Sequence, residues 1–214
     1  FNPIYMGPNW ICAMDVGIRA VNILVAIEMI GNRYGMLLTV PVQKELASLT
    51  YQHGKFIVEN LEYSPELTSN HYAGDIAGLL FISFYLESNK ETDCWLAFSI
   101  QEVFSEIEKQ YCLDGGNFER TTSYHRLTSE MFLWSIALIR GFEQTDLQRL
   151  RSYRASNFKS TPQLKELADQ SFTISESGID IPENVLDRIF RSIVFTIDLT
   201  KPDGNVCQFG DNDS

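Results

Sequence analysis

Basic residues are scarce in this chain. Only 17 Lys and Arg stand against 28 Asp and Glu in 214 residues, a formal net charge of −11. That shortage excludes a nucleic-acid binder, which would need a basic face against phosphate. It also means that an anionic ligand would have to be drawn in by a local positive patch. Cysteine is sparse too: the four, at positions 12, 94, 112 and 207, form no CxxC pair and no close Cys/His cluster, so no zinc site is expected. Three of them fall in helical patterns and read as buried free thiols. Long apolar runs are missing as well. The two longest, Val16 to Ile30 and Ile76 to Leu86, are interrupted by Arg19, Asn22 and Glu28 or too short, and neither spans a bilayer. Phe1 to Trp10 has no basic start and no small-residue cleavage pattern, and does not itself read as a signal peptide. No repeat near 34 residues is evident, which argues against a regular solenoid, and no Asp-rich DDxxD-type motif suggests a terpene-cyclase-like toroid.

What is present is an apolar fraction of 44%, ample for a packed core, arranged as helix after helix. The patterns predict helices from Trp10 to about Ile30, Pro41 to about His53, Lys55 to Leu61 and Ala73 to Leu86. Further helices are predicted over Cys94 to Tyr111, Phe118 to Arg140 and Pro182 to Leu199. The first is apolar on most of its circumference and predicts enclosure by other helices; Cys94 to Tyr111, more amphipathic, is expected towards the outside. Hairpins of this kind define an all-α fold, an (α/α) array curved into an incomplete toroid over residues 1–200. Beyond it, Pro202-Asp203-Gly204 makes a turn, and Val206, Gln208 and Gly210 alternate like the start of a β-structure over 201–214.

Chemistry concentrates at a few places. Asp114-Gly115-Gly116-Asn117 is a turn leading into a helix that carries Tyr124 and His125 near its start, and Tyr and His can both pass a proton at moderate pH. Tyr124 equally begins an apolar stripe with Leu127, Met131, Trp134 and Leu138, so a core role competes with a catalytic one. Asp15, Arg19 and Asn22 share one helix stripe, either a solvated seam or a cavity lining in which Arg19 contacts an anion. Asn70 sits where a helix begins and suits an N-cap or an amide aimed at an anion; His71 and Tyr72 follow in the first turn, where the dipole keeps His71 neutral. His53, beside Gly54, reads as a helix-end cap. The basic run Arg149, Arg151, Arg154, Lys159 and Lys165 reads as a solvated face.

Four landmarks in order then resemble one family. Trp10-x-x-x-Met14-x-Val16-x-Ile18-Arg19-Ala20-x-Asn22, Asn70-His71-Tyr72-x-x-Asp75-x-Ala77-Gly78, Asp114-Gly115-Gly116-x-x-Glu119-x-x-x-x-Tyr124-His125 and Gly210-Asp211-Asn212-Asp213 look like the toroid of heparinase II/III-like and alginate polysaccharide lyases. The resemblance implies β-elimination in an acidic, uronate-containing polysaccharide: the C5 proton is removed, the C4 oxygen leaves, and an unsaturated uronate remains. It matches Asn70 and His71 to the group that relieves the substrate carboxylate and Tyr124 to proton transfer. Arg19, Tyr72, Glu119 and His125 are then expected to line the same pocket. Ser69 stands where many relatives carry a second Asn, which puts that substrate contact in doubt.

In such enzymes a His from a following β-sandwich completes the site, and any metal belongs to that sheet region, so no cofactor or metal is assigned here. The segment is therefore expected to be a toroid piece, truncated upstream of Phe1 and missing its sandwich, from a periplasmic or secreted protein. Two other classes stay open: a non-catalytic glycan-binding α/α module, with Trp95 or Trp134 exposed as platforms, and a helical protein-interaction scaffold with no shared polar pocket. If the family chemistry holds, the 214-residue segment alone should release no unsaturated product from uronate polysaccharides, because each missing proton-transfer group costs roughly 100- to 10,000-fold. Absorbance of the unsaturated uronate checks this, and robust release by the isolated segment would refute it.

Overall fold

A computed structural model of the chain describes residues 3–35, 38–151, 158–164 and 171–211. Among the described residues the elements are a 3-10 turn at Pro8–Trp10 and helices α1 (Ala13–Tyr34), α2 (Val40–Glu59), α3 (Asn70–Tyr85), α4 (Lys90–Gln110) and α5 (Thr122–Arg140). After these come α6 (Gln144–Leu150), a small antiparallel pair β1 (Thr173–Ile174) and β2 (Ile179–Asp180), and α7 (Glu183–Asp198). The chain is all-α, as its periodicity predicts.

Helix α3 is the centre of the packing. Its residues from Tyr72 to Leu80 are all buried, and α1, α2, α4 and α5 each lie against it. Small residues let α1 come unusually near. A side chain on Gly78 would land on the backbone of Gly17, and one on Gly17 would meet the Gly74 carbonyl oxygen at 2.8 Å. The contacts advance together along both helices, Cys12 beside His71, Met14 over Gly74 and Gly17 over Gly78, so α1 and α3 run parallel. α5 starts at the same end, because Glu119, just before it, grips Asn70 at the start of α3. Three helix N-termini therefore gather at one end of the domain. Their alignment leaves α2 and α4 as the returning arms of helical hairpins.

Several expectations change. The two helices expected over 41–53 and 55–61 are one, α2, which ends at Glu59, since Gly54 sits mid-helix under the Trp95 ring instead of ending it, and His53 is a buried interior residue, not a cap. The N-cap of α3 is Ser69, whose Oγ accepts from the His71 N–H, which leaves Asn70 as the first helical residue. α5 begins at Thr122, four residues later than expected, because 114–120 is spent on a turn. The first helix is not enclosed: it packs on α3, α2 and the 3-10 turn, and Ile23, Met29 and Ile30 are exposed. Conversely α4, expected outside, is buried on both flanks. α3 covers one side, and α6, α7 and Phe158, whose ring stacks on Phe98 at 3.8 Å, cover the other.

The basic run is not a simple solvated face either. Arg149 of α6 pairs with Asp93 at 2.7 Å and donates to the Ser83 and Phe84 carbonyls, which ties α6 to α3 and α4. Arg151 and Lys159 are exposed, while Arg154 and Lys165 lie outside the described residues. At the C-terminal end the 201–204 turn forms, but strand pairing stops at one bridge, Thr200 to Val206. The chain then hydrogen-bonds through Phe209 to Thr122, and Gly210 packs on Thr121; Asn212 and Asp213 lie outside the described residues.

The α1/α3 approach gives a direct test. Gly78→Val should lower stability by about 1–3 kcal/mol or more, because backbone faces backbone there and cannot yield. Gly141→Ala, where the nearest atom to the new methyl is 3.4 Å away, should leave the urea midpoint essentially unchanged.

Candidate functional site

The gathered N-termini create a polar cluster. Glu62, in the connection from α2 to α3, accepts through Oε1 from the backbone N–H groups of Ala13 (2.9 Å) and Met14 (3.2 Å), so it caps α1. The same oxygen takes the Cys12 thiol at 3.1 Å, and Oε2 lies 2.6 Å from Nδ1 of His71. The Glu62 backbone N–H in turn donates to Asp75 of α3 at 2.6 Å. Burial opposes the Glu62 charge, but donors from Cys12, Met14 and His71 outweigh it and hold the carboxyl below its usual range. Asp75, fully buried with Oδ1 unpartnered, is pushed well above its usual value by that burial. His71 is therefore fixed at Nδ1, while its side chain remains 44% exposed.

A second clamp lies beside it. Glu119 accepts from the Asn70 backbone N–H at 2.7 Å and from its amide at 2.8 Å, a carboxylate seated on a helix N-terminus. Five residues on, Tyr124 occupies the first turn of α5, half-buried, with its N–H donated to the Thr121 cap. The core face of α5 is not the stripe that Tyr124 begins. It is His125, Thr128, Phe132, Ser135, Ile136 and Ile139, about 100° round the helix. Tyr124 heads the flank of Leu127, Met131 and Trp134, and those three form one wall of an open groove of about 410 Å³. Ile18, Asn22 and Val25 of α1 supply another wall, with Gly74, Gly78 and Phe81 of α3 as its floor. His71 precedes Gly74, Gly78 and Phe81 by three, seven and ten residues, so it stands on the same stripe of α3. The groove thus has an apolar body and a polar head.

Not every expected residue belongs to that head. Tyr72 is fully buried and donates to Glu102 at 2.7 Å; burial, then Glu102, raises its hydroxyl well above 10. It has no face to a substrate and serves packing. His125 is 2% exposed: its Nδ1 accepts from the Asn117 N–H, and its Nε2 reaches the Ser192 carbonyl and Thr196 of α7. It locks the Gly-Gly turn to α7, a role that requires the neutral ring. Gly115, at φ +92°, is required there because a side chain would strike the Arg191 carbonyl.

Arg19 is committed on the far flank of α1. It donates to Nε2 of His53 at 3.3 Å and to the Asn9 carbonyl at 2.8 Å, and lies over the Trp10 ring. Its contacts run to the 3-10 turn and α2, not to α3 or α5. Cys12 and Glu62 escaped sequence reasoning because they approach His71 from 59 and 9 residues away, with no periodic signal at either. Cys12, Glu62 and His71 do bring ligand-type atoms within 4.8 Å of one another, contrary to the expectation of no Cys/His cluster. Two helix N-termini point positive charge at that spot, and hydrogen bonds account for all three groups, so the arrangement suits a capping carboxylate better than a cation.

The architecture defines an all-α domain with an open groove between α1, α3 and α5 and a polar cluster where their N-termini gather. The family described as Heparinase II/III N-terminus matches residues 35–148, more than half of the chain, and the chain belongs to that family, one related to polysaccharide lyases. The match covers Glu62, Asn70, His71, Glu119, Tyr124 and Trp134, and leaves α1 and α7 outside it. Comparison with curated proteins and with solved structures found no match. No helix among the described residues is long and apolar enough to cross a membrane.

The buried imidazoles predict a pH dependence. Burial lowers the folded-state values of His125 and His53 below 6.5, so the unfolded chain binds more protons as pH falls through that value, and stability should drop. Urea unfolding from about pH 7.5 to about pH 5.5 should show this loss, and His125→Gln, which removes one titrating group, should flatten it. Glu62 contributes a separate loss only below 4.5, as its depressed carboxyl is protonated.

Proposed function

We propose that this domain carries the His, Asn and Tyr part of a lyase site that cleaves a uronate-containing polysaccharide by β-elimination. The supporting observation is the convergence of the α1, α3 and α5 N-termini, with Cys12 and Glu62 against His71 and Glu119 clamped on Asn70 a few residues before Tyr124. Loss of the C5 proton builds negative charge on the uronate carboxylate, and hydrogen-bond donors must meet it there. Nε2 of His71, the ring atom that Glu62 does not hold, donates to that charge when the ring is the imidazolium, because the Nδ1–H goes to the Glu62 carboxylate. Asn70 spends its amide N–H on Glu119, so its part is to fix the start of α3 beside the carboxylate. Tyr124 exchanges the proton: the C5–H electrons form the C4=C5 double bond, the C4–O bond breaks, and the departing oxygen takes up a proton. In this reading a β-sandwich of the full protein completes the site.

A non-catalytic glycan-binding module is the second reading. It is favoured by Trp134, 59% exposed, and by Asn70, 4% exposed, whereas Trp95 is buried and offers no platform. The shared polar head speaks against a plain protein scaffold.

Tyr124→Phe in the full-length protein separates the first two. The ring and its packing persist, so the melting temperature should move little, while release of unsaturated uronate should fall by roughly two orders of magnitude and glycan binding survive. Elimination at the parental rate would end the assignment.

A further inference from the structure

The cap of α1 brings three side chains of metal-ligand type together. The ligand-type atoms of Cys12, Glu62 and His71 lie within 4.8 Å of one another, and among the described residues no other three His, Cys, Asp or Glu side chains come so close. Sγ of Cys12 is 3.1 Å from Oε1 of Glu62 and 3.8 Å from Nδ1 of His71, and Oε2 of Glu62 is 2.6 Å from that nitrogen. Two ligand atoms on one tetrahedral zinc stand about 3.3–3.6 Å apart, given bonds near 2.3 Å to sulfur and about 2.0 Å to nitrogen or oxygen. The distances from the thiol bracket that spacing. The His71 ring, 44% exposed in the first turn of α3, has to swing out from Glu62 by about 1 Å or less. All three side chains are half-buried, so an ion can reach them from solvent.

With the thiol protonated the cluster is the cap described above. Burial, helped by the Glu62 carboxylate, pushes the Cys12 thiol up to about 11, and a single carboxylate charge beside two helix N-termini does not hold a hard cation. A thiophilic ion changes this, because it takes the sulfur as thiolate and the thiol proton leaves to solvent. Thiolate, carboxylate and Zn2+ are together neutral, so the helix ends meet no excess positive charge. We propose that Cys12, Glu62 and His71 bind one Zn2+ through Sγ, Oε2 and Nδ1, with a fourth position open to water. Glu62 keeps Oε1 on the Ala13 and Met14 N–H groups, so the cap of α1 survives. At a neutral His71 ring Nδ1 gives up its proton to the metal bond and Nε2 takes one, which makes the neutral ring a donor at Nε2. Without the ion the Nδ1–H goes to Glu62, and only the imidazolium donates there. The site goes beyond the lyase reading and does not depend on it.

The test strips the full-length protein with a chelator under reducing conditions and titrates it with Co2+, whose spectrum reports ligands to which Zn2+ is silent. The parent should show a thiolate-to-cobalt charge-transfer band that Cys12→Ser lacks and that added Zn2+ abolishes. Ser is a good N-cap in its own right, so this variant should fold, and Cys12→Ala repeats the comparison if it does not. Glu62→Gln should weaken Co2+ binding at least about tenfold. A second measurement follows the imidazole nitrogens by NMR, with the His71 signals assigned by their loss in His71→Gln. Zinc should move the ring proton from Nδ1 to Nε2. No thiolate band in the parent, the same band in Cys12→Ser and Cys12→Ala, or His71 signals unchanged at saturating zinc each overturn the site. Neither measurement uses turnover, so such a failure leaves the lyase reading standing. A protein that passes both and cleaves no uronate polymer upholds the site and ends the lyase reading instead.

Discussion

The close approach of α1 to α3 is the constraint on which the rest depends. Gly17, Gly74 and Gly78 remove the side chains that would hold the two backbones apart, and the resulting parallel contact puts the start of α1 beside the start of α3. Helix N-termini crowded together present unpaired N–H groups and like partial charges, an arrangement that needs acceptors. Glu62 and Glu119 are those acceptors: one caps α1, the other sits on the first residue of α3. The carboxylates that stabilise the packing are also the ones that hold His71 and Asn70. Structure and candidate chemistry therefore share the same hydrogen bonds.

That sharing divides the motif residues between two jobs. His71 is held at one ring nitrogen and open at the other, which suits chemistry. Tyr72 and His125, their immediate sequence neighbours in kind, are buried and joined to Glu102 and α7. The Gly115-Gly116 turn is a packing joint that α7 presses against. Most of the Asp-Gly-Gly motif thus delivers Glu119 and α5 to the site without touching a ligand.

The chain is acidic, and among the described residues no Lys or Arg lines the groove. The groove body does the opposite of steering: it is apolar, carries Glu130 and shows an exposed indole.

The sequence by itself determined the all-α class, the helices to within a few residues at most ends, the buried run of α3 and the family, because periodicity and short motifs are local properties. It placed Asn70 and His71 in one segment and Glu119 in another, and the clamp of Glu119 on Asn70 only the fold decided. Gly54 looked like a break until the Trp95 ring was found above it, and the stripe from Tyr124 looked like core because its residues are apolar. Tertiary structure chose His125, Thr128 and Phe132 as the core face instead and left Leu127, Met131 and Trp134 to the groove. Which of two apolar faces is buried, and which distant carboxylate reaches a histidine, depends on neighbours 9 to 59 residues away. Helical periodicity records how a face repeats along one helix but not what covers it.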